Sequence, residues 1–456
     1  MKMNPEYSIV CAMATPVAQV SNLPYRSASS LRTPADPDAA LRGCALPIGN
    51  RRPSRLETCA TAVRSWTLVG LAALFCTAAS AAPFSAGSTG ALGDLVVSNN
   101  LTLPLPPDGI FHFNSITVQA AGTLTFTRNL LNTPVYLLAK SNVTINGVID
   151  VNGKYRTVNY SGGEGGPGGY DGGSGGFISG TNTGMGGAGM GPGAGLRGLV
   201  HGSIGPIGGG GAFRTRVSWN GQARSGTNYG NPLLLPLVGG SGGGGMDGNV
   251  NGGGGGGGGA VLIASDTVIR VQPGAIIRAI GGRADGVNQG SGGAIRLVSP
   301  RVYGSGTLQV QGGDWGGHGY IRIDSVLRTE PGDLSQNFAL TLQPADSATL
   351  GGNMVVFPPN LPKLDIVGIG TNTIPVGVAG PVFFTFDLDA PTNQTVTIQA
   401  RNFGTNAVPI EVALIPDSGE KTTYPAVINN SANPGEVVVP VTVTPNTRVQ
   451  VQAWIR

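Results

Sequence analysis

Beyond position 76 the chain contains no cysteine; the four it has are Cys11, Cys44, Cys59 and Cys76. That absence removes disulfides, thiolate nucleophiles and cysteine-held metals from most of the protein. Charge is scarce, at 11% of residues, and aromatics make up 6%. The first 81 residues hold eight of the 28 Lys and Arg and four of the 24 Asp and Glu, so the remainder carries equal numbers of each sign. No basic run is left there to displace counterions from nucleic acid or to dock on anionic lipid, which argues against a nucleic-acid partner. From Ala82 onward there is no helical periodicity, and no apolar stretch approaches the ~20 residues of a membrane-spanning helix. Phosphate-loop and HExxH motifs are missing. GxSxG occurs only as GGSGG around Ser174 and Ser241. No helix pattern follows either copy, and a nucleophile elbow needs one.

The segment after Arg64, SWTLVGLAALFCTAASAAP, is a short apolar run followed by small residues. Ala79-Ser80-Ala81 has the A-x-A spacing read by signal peptidase, so 63–81 is expected to be an export signal cleaved before Ala82. Residues 1–62, a mixture of Pro, Arg, Ser and Ala, then form a disordered leader or a mis-called upstream extension. An exported chain that loses all four cysteines must be held by an extensive core or by repetitive hydrogen bonding.

Repetition and glycine are what the sequence does contain. VYLLAKSNVTINGVIDVNG from Val135, AVLIASDTVIRVQPGAIIRAIGG from Ala260 and AIRLVSPRVYGSGTLQVQGG from Ala294 share one strand–corner–strand phrase closed by glycine. Such units cannot bury an apolar face alone and stack on one another. The fold class is therefore expected to be all-β: a parallel β-solenoid over 82–153 and 260–326, interrupted by a glycine-rich insert at 154–259. A connector at 327–352 leads to 353–456, where seven or more strands at about 12-residue spacing predict an immunoglobulin-like β-sandwich.

More than half of the 77 glycines fall between Ser161 and Gly259. Two readings of the insert stay open. It is a flexible loop, since ordering glycine costs entropy, or an ordered stack of polyproline-II-like strands in which glycine permits close backbone approach. The matching repeat phases on either side favour a corner loop, and a Gly153-to-Ala260 fusion is then expected to leave the solenoid folded. Alternation predicts Leu262, Val268, Leu297 and Val302 pointing inward and Arg296 facing solvent.

VxLLAxxxVTINGxIDxxG, the GGxGGxGG block, GGAIRLVS and GGxGYIRID together resemble secreted, glycine-rich parallel β-helix proteins of Gram-negative bacteria, with repeats similar to adhesins of the haemagglutinin-like kind. The resemblance covers 87–326. It implies a non-enzymatic scaffold, extracellular or on the outer cell surface, whose partner is a cell-surface or extracellular polysaccharide or protein. A carbohydrate-active enzyme on the same fold is the first alternative, and an ice- or glycan-binding polyglycine surface the second.

Candidate chemistry is sparse. Asp150, Asp266, Asp285, Asp314 and Asp324, with Arg270, Arg278, Arg296 and Arg322, are the solenoid charges from which an acid–base pair would be drawn. Arg270, Arg296 and Arg322 recur in alternating strands and suggest a ladder. GGGGMDGNV around Asp247 and GPGGYD ending at Asp171 are incomplete versions of the calcium nonapeptide, which makes both weak calcium candidates. Trp315, His318 and Tyr320, in DWGGHGY, form the most side-chain-rich corner and are candidates for stacking on a glycan.

Overall fold

The computed structural model describes residues 7–11, for which the backbone alone is described, and 84–456 apart from short stretches. These are 157–160, 180–181, 202–203, 218–223, 249–251, 285–287, 327–347, 379–380, 387–389 and 445–446. The expected export signal, most of the leader and most of the connector lie outside the described residues. All described residues belong to one compact unit, and no helix occurs among them.

Three parallel sheets run the length of the solenoid. The first orders Ile110–Phe113, Val135–Ala139, Ala260–Ser265, Ala294–Val298, Tyr320–Asp324 and Ala348–Gly351. The second runs from Asp94–Val97 through Ser115–Val118, Val143–Ile145 and Val268–Val271 to Arg301–Gly304. The third stacks Asn100–Pro104, Thr123–Thr127, Val148–Asp150, Ile276–Arg278 and Thr307–Gln309. Each rung visits the three sheets in turn. Tight corners between them demand glycine: a Cβ on Gly147 would lie 2.2 Å from the carbonyl oxygens of Gln119 and Gly122.

Register carries straight across the insert. Val135 pairs with Val261 and Val148 with Ile276, while Ala260 pairs with Ala294 and Ala294 with Tyr320. The inward row is one apolar core that includes Ile116, Leu124, Leu137, Ile149, Ile263, Ile277, Leu297 and Val302. Leu297 and Val302 thus face as expected. Leu262 and Val268 do not: Ile263 and Ile269 take the inward positions, and Leu262 packs in a second cluster on the outer face of the first sheet.

That outer face is where the sequence reading of Arg296 fails. Arg296 is fully buried, because the face is covered by Phe213, Tyr229, Leu234, Leu237 and Val238 of the insert and by Ala413, Ile415 and Trp454 of the sandwich. Arg296 and Arg322 are register partners, but Arg270 stands in the second sheet beside Tyr303. The three do not form one ladder.

The insert is an ordered layer, not a loose loop. Along Gly239–Met246 every third residue donates to the same neighbour: Gly240 to Gly258, Gly243 to Gly255 and Met246 to Gly252. The intervening phase serves another strand, with Gly242 donating to Met190 and Gly245 to Gly187. Within Gly252–Gly259 three phases serve three neighbours: Gly254 and Gly257 reach Gly173 and Tyr170, Gly255 and Gly258 reach Asn288 and Ser291, and Gly256 and Gly259 reach Lys154 and Val151. A period of three is that of the polyproline-II helix. A Cβ on Gly257 would sit 2.0 Å from the carbonyl oxygen of Gly240, so this spacing admits glycine alone. The hydrogen bonds offset the entropy that a glycine chain loses on ordering.

The C-terminal part is a sandwich of two sheets. One contains Asn372–Thr373, Lys363–Ile369, Asn393–Arg401 and Gly435–Thr442; the other contains Val382–Phe386, Val449–Ile455, Ala407–Pro416 and Thr422–Asn429. Val396, Ile398, Val412, Val439 and Val451 pack between them. Tyr7–Cys11, expected within a disordered leader, is a strand in the second of these sheets. YSIVC is a short β-prone run, a signal that the surrounding composition obscured. Of the expected connector, Ala348–Gly351 extends the first solenoid sheet.

Tyr136 stands on the same outer face, its ring 5.2 Å from that of Phe357. Burial pushes its phenol up to about 12, against about 10 in an unfolded chain. The fold therefore favours the protonated form. Its contribution is whole below pH ~10 and is lost as pH rises from ~10 through ~12. Tyr136→Phe is expected to flatten part of that alkaline loss, measured as the denaturant midpoint from about pH 8 to about pH 11.

Candidate functional site

Where the solenoid rim, the glycine layer and the sandwich meet, they leave a cleft of about 380 Å³, within the usual range for small-molecule sites. The solenoid contributes Arg128 and the loop Asn129–Asn132, the layer Tyr170, Asp171 and Met190, and the sandwich Pro381, Phe383, Asp417, Arg448, Gln450 and Gln452. Asn132 takes a left-handed conformation, φ 47°, which asparagine tolerates better than most residues. From there its amide clips the loop to the layer: Nδ2 donates to the Gly169 carbonyl and Oδ1 accepts from the Gly168 amide at 3.1 Å.

Two ion pairs line the walls. Arg128 holds Asp171 at 2.5 Å, and Asp171 also accepts from the Gly165 amide at 2.7 Å. On the sandwich side Arg448 Nε lies 3.9 Å from Asp417. Partial burial raises the Asp417 carboxyl from its usual value, with Arg448 opposing, and 59% of the side chain stays exposed. Gln452 accepts from the Gly191 amide at 3.0 Å, and Phe383 leaves 59% of its surface exposed. The walls are fixed to one another at the rim: the Gly419 amide donates to the Gly186 carbonyl at 2.9 Å, and Glu420 lies within 3.2 Å of Arg197 and 3.1 Å of Arg224.

The structure distributes the residues singled out in sequence differently. Asp171 reaches the cleft, but bound to Arg128. Asp247, almost buried, is paired with Arg197 and accepts from the Gly186 amide at 2.8 Å. Both calcium candidates are thus occupied by arginine, and among the described residues no group of three or more His, Cys, Asp or Glu is placed to hold a metal. Trp315 is exposed at its turn, whereas Tyr320 packs edge-on against Phe213 at 4.9 Å. The His318 amide and carbonyl bond to Thr215. The DWGGHGY corner is therefore largely spent on anchoring the insert.

Asp150 pairs with Arg278 at 2.7 Å across adjacent rungs, and Asp314 with Arg283 at 3.5 Å. Asp324 is buried between Arg296 and Arg322, at 3.0 and 2.7 Å. Asp285 lies outside the described residues. Arg128, Tyr170, Asp417, Arg448 and Gln450 had no signal in sequence, since the docking of three distant segments is what brings them together. No family model, curated protein or solved structure matches the chain.

Proposed function

We propose that the protein is an exported, adhesin-like scaffold that works by binding and not by turnover, and that the cleft holds a polyhydroxylated ligand, a unit of a cell-surface or extracellular polysaccharide. The observation that carries this reading is the lining of the cleft. On the solenoid and layer side Arg128, Asp171 and Asn132 are already fixed by their own hydrogen bonds, as is Gln452 of the sandwich. Arg448 and Asp417 stay more than half exposed, and Tyr170 and the exposed ring of Phe383 stand among them. Planar polar groups held in place offer paired donors and acceptors to hydroxyls, and an aromatic face suits the apolar side of a sugar ring. Preorganised walls lose little entropy when a ligand binds. Export is supported by the pattern at 63–81 and by the lack of cysteine after it. The resemblance to glycine-rich β-helix proteins of Gram-negative bacteria supports the same compartment.

Asp417 favours a second reading. Its carboxyl and that of Asp171 line the same cleft, and a carboxyl pair is what general acid–base chemistry draws on. The polyglycine-surface reading finds less support, because Gly239–Gly245 and Gly252–Gly259 are buried within their layer.

A polysaccharide panel tests these readings. Saturable binding without products is expected, weakened about tenfold by Arg448→Ala, a loss of roughly 1.4 kcal/mol, with an unchanged melting temperature. Products that vanish in Asp417→Asn would establish the enzyme instead. Binding that Arg448→Ala leaves untouched would move the ligand out of the cleft.

A further inference from the structure

The sandwich does not supply all of its own strands. The position between Val382–Phe386 and Val449–Ile455 is filled by Tyr7–Cys11. This strand runs antiparallel to the first, from Tyr7 opposite Phe386 to Cys11 opposite Val382. It runs parallel to the second, with Ile9 opposite Val449 and Cys11 opposite Val451. Val382–Phe386 pairs with no other strand among the described residues. Without the inserted strand, Val449–Ile455 becomes an edge, and Val449, Val451, Ala453, Trp454 and Ile455 on it are each at most 6% exposed. A long apolar edge of this kind is a template for strand addition.

The strand that fills the slot lies upstream of the export pattern. On the export reading above, on which this inference rests, cleavage before Ala82 severs it from the rest of the chain. We propose that the slot is a strand-acceptor site. Tyr7–Cys11 closes it in a chain that keeps the leader, and in the exported chain, which has lost it, the slot takes an extended segment of another protein. The seated strand defines what that segment must be. Positions 7, 9 and 11 stand opposite Phe386, Phe384 and Val449, and Val382 and Val451, all of which belong to the sandwich core or pack on it. The ligand therefore carries apolar residues at three alternate positions. Position 10 stands opposite Phe383 and Gln450, two residues of the cleft wall, so occupancy of the slot shapes the cleft as well. The ligand runs parallel to Val449–Ile455 and has no proline at its centre, where neighbours on both sides draw on its backbone.

The test uses the full chain with a specific protease site placed within residues 12–62 and cut after folding. A fluorescent peptide of residues 4–14, in large excess, is the probe. It is expected to displace the native strand, co-elute with the protein and bind saturably. The same peptide with Ile9→Pro should bind about 100-fold more weakly, because proline removes a ladder donor and breaks the strand. A cut fragment that stays in place while the probe never enters would show a permanent seam and overturn the proposal. Equal binding of the Ile9→Pro peptide would do the same. Dimers that form on cutting and resist the probe would place a second copy in the slot, and would also overturn it. N-terminal sequencing of exported protein, starting near Ala82 or retaining Cys11, judges the export reading separately, since the peptide measurement does not depend on it.

Discussion

Joining Gly153 directly to Ala260 is expected to produce a chain that aggregates and melts without cooperativity. Matching phase alone would favour the opposite result, because Val135 pairs with Val261 and the rungs meet in register. Register is only half of the matter. On the outer face of the first sheet, Leu138, Ala260, Leu262, Ala264 and Val298 are buried against Phe213, Tyr229, Leu234, Leu237 and Val238 of the insert. Excision removes that cover, and each large side chain left in water forfeits about 1.5–3 kcal/mol. The layer also accepts backbone bonds from the solenoid, such as that from the Ala260 amide to the Pro167 carbonyl at 2.7 Å. Circular dichroism melts and dye binding to exposed apolar surface decide the matter. A cooperative melt close to that of the full chain would show that the layer is dispensable.

The solenoid was legible because its signal is side-chain alternation, and alternation survives wherever one face is apolar and the other is not. Leu297 and Val302 were assigned correctly on that basis. Leu262 and Arg296 were not, because the pattern says which residues alternate and cannot say what covers the outer face. The glycine layer was illegible for a related reason. Its three-residue period lies in the hydrogen bonding of Gly240, Gly243 and Met246 and in the matching positions of Gly252–Gly259, while the side chains that would mark a period are absent. The cleft lay further out of reach. Arg128, Asp171 and Arg448 share no motif and meet only through the docking of the insert on the sandwich.

Replacing Asp324 with Ala is expected to be the most damaging single substitution in the solenoid, at about 3–5 kcal/mol, the cost of leaving buried charge unpaired. Asp324 is the only carboxylate paired with Arg296 and Arg322 among the described residues, and the site buries two positive groups for one negative. Burial already pushes the Arg296 guanidinium below its usual value, with Asp324 opposing, and its Nη1 is buried without an acceptor. The cluster also joins three parts of the fold. Arg322 donates to the Pro232 carbonyl in the insert at 3.1 Å. Arg296 donates to the carbonyls of Asn353 and Val355, at 3.1 and 2.9 Å, on the approach to the sandwich. Removing the carboxylate loosens all three contacts at once. Arg296→Ser, at a position that alternation places in solvent, is expected to cost several kcal/mol. Asp324 keeps Arg322, but a fully buried side chain is emptied and the Asn353 and Val355 carbonyls lose their donor. Replacing all three residues with apolar side chains of similar volume should recover most of the loss, since a well-packed apolar substitute is often as stable as a buried ion cluster. Denaturant midpoints of the variants are the measurement. An Asp324→Ala loss below about 1 kcal/mol would mean that water reaches the cluster and that the outer face is less tightly covered than the packing of Phe213, Tyr229 and Trp454 implies.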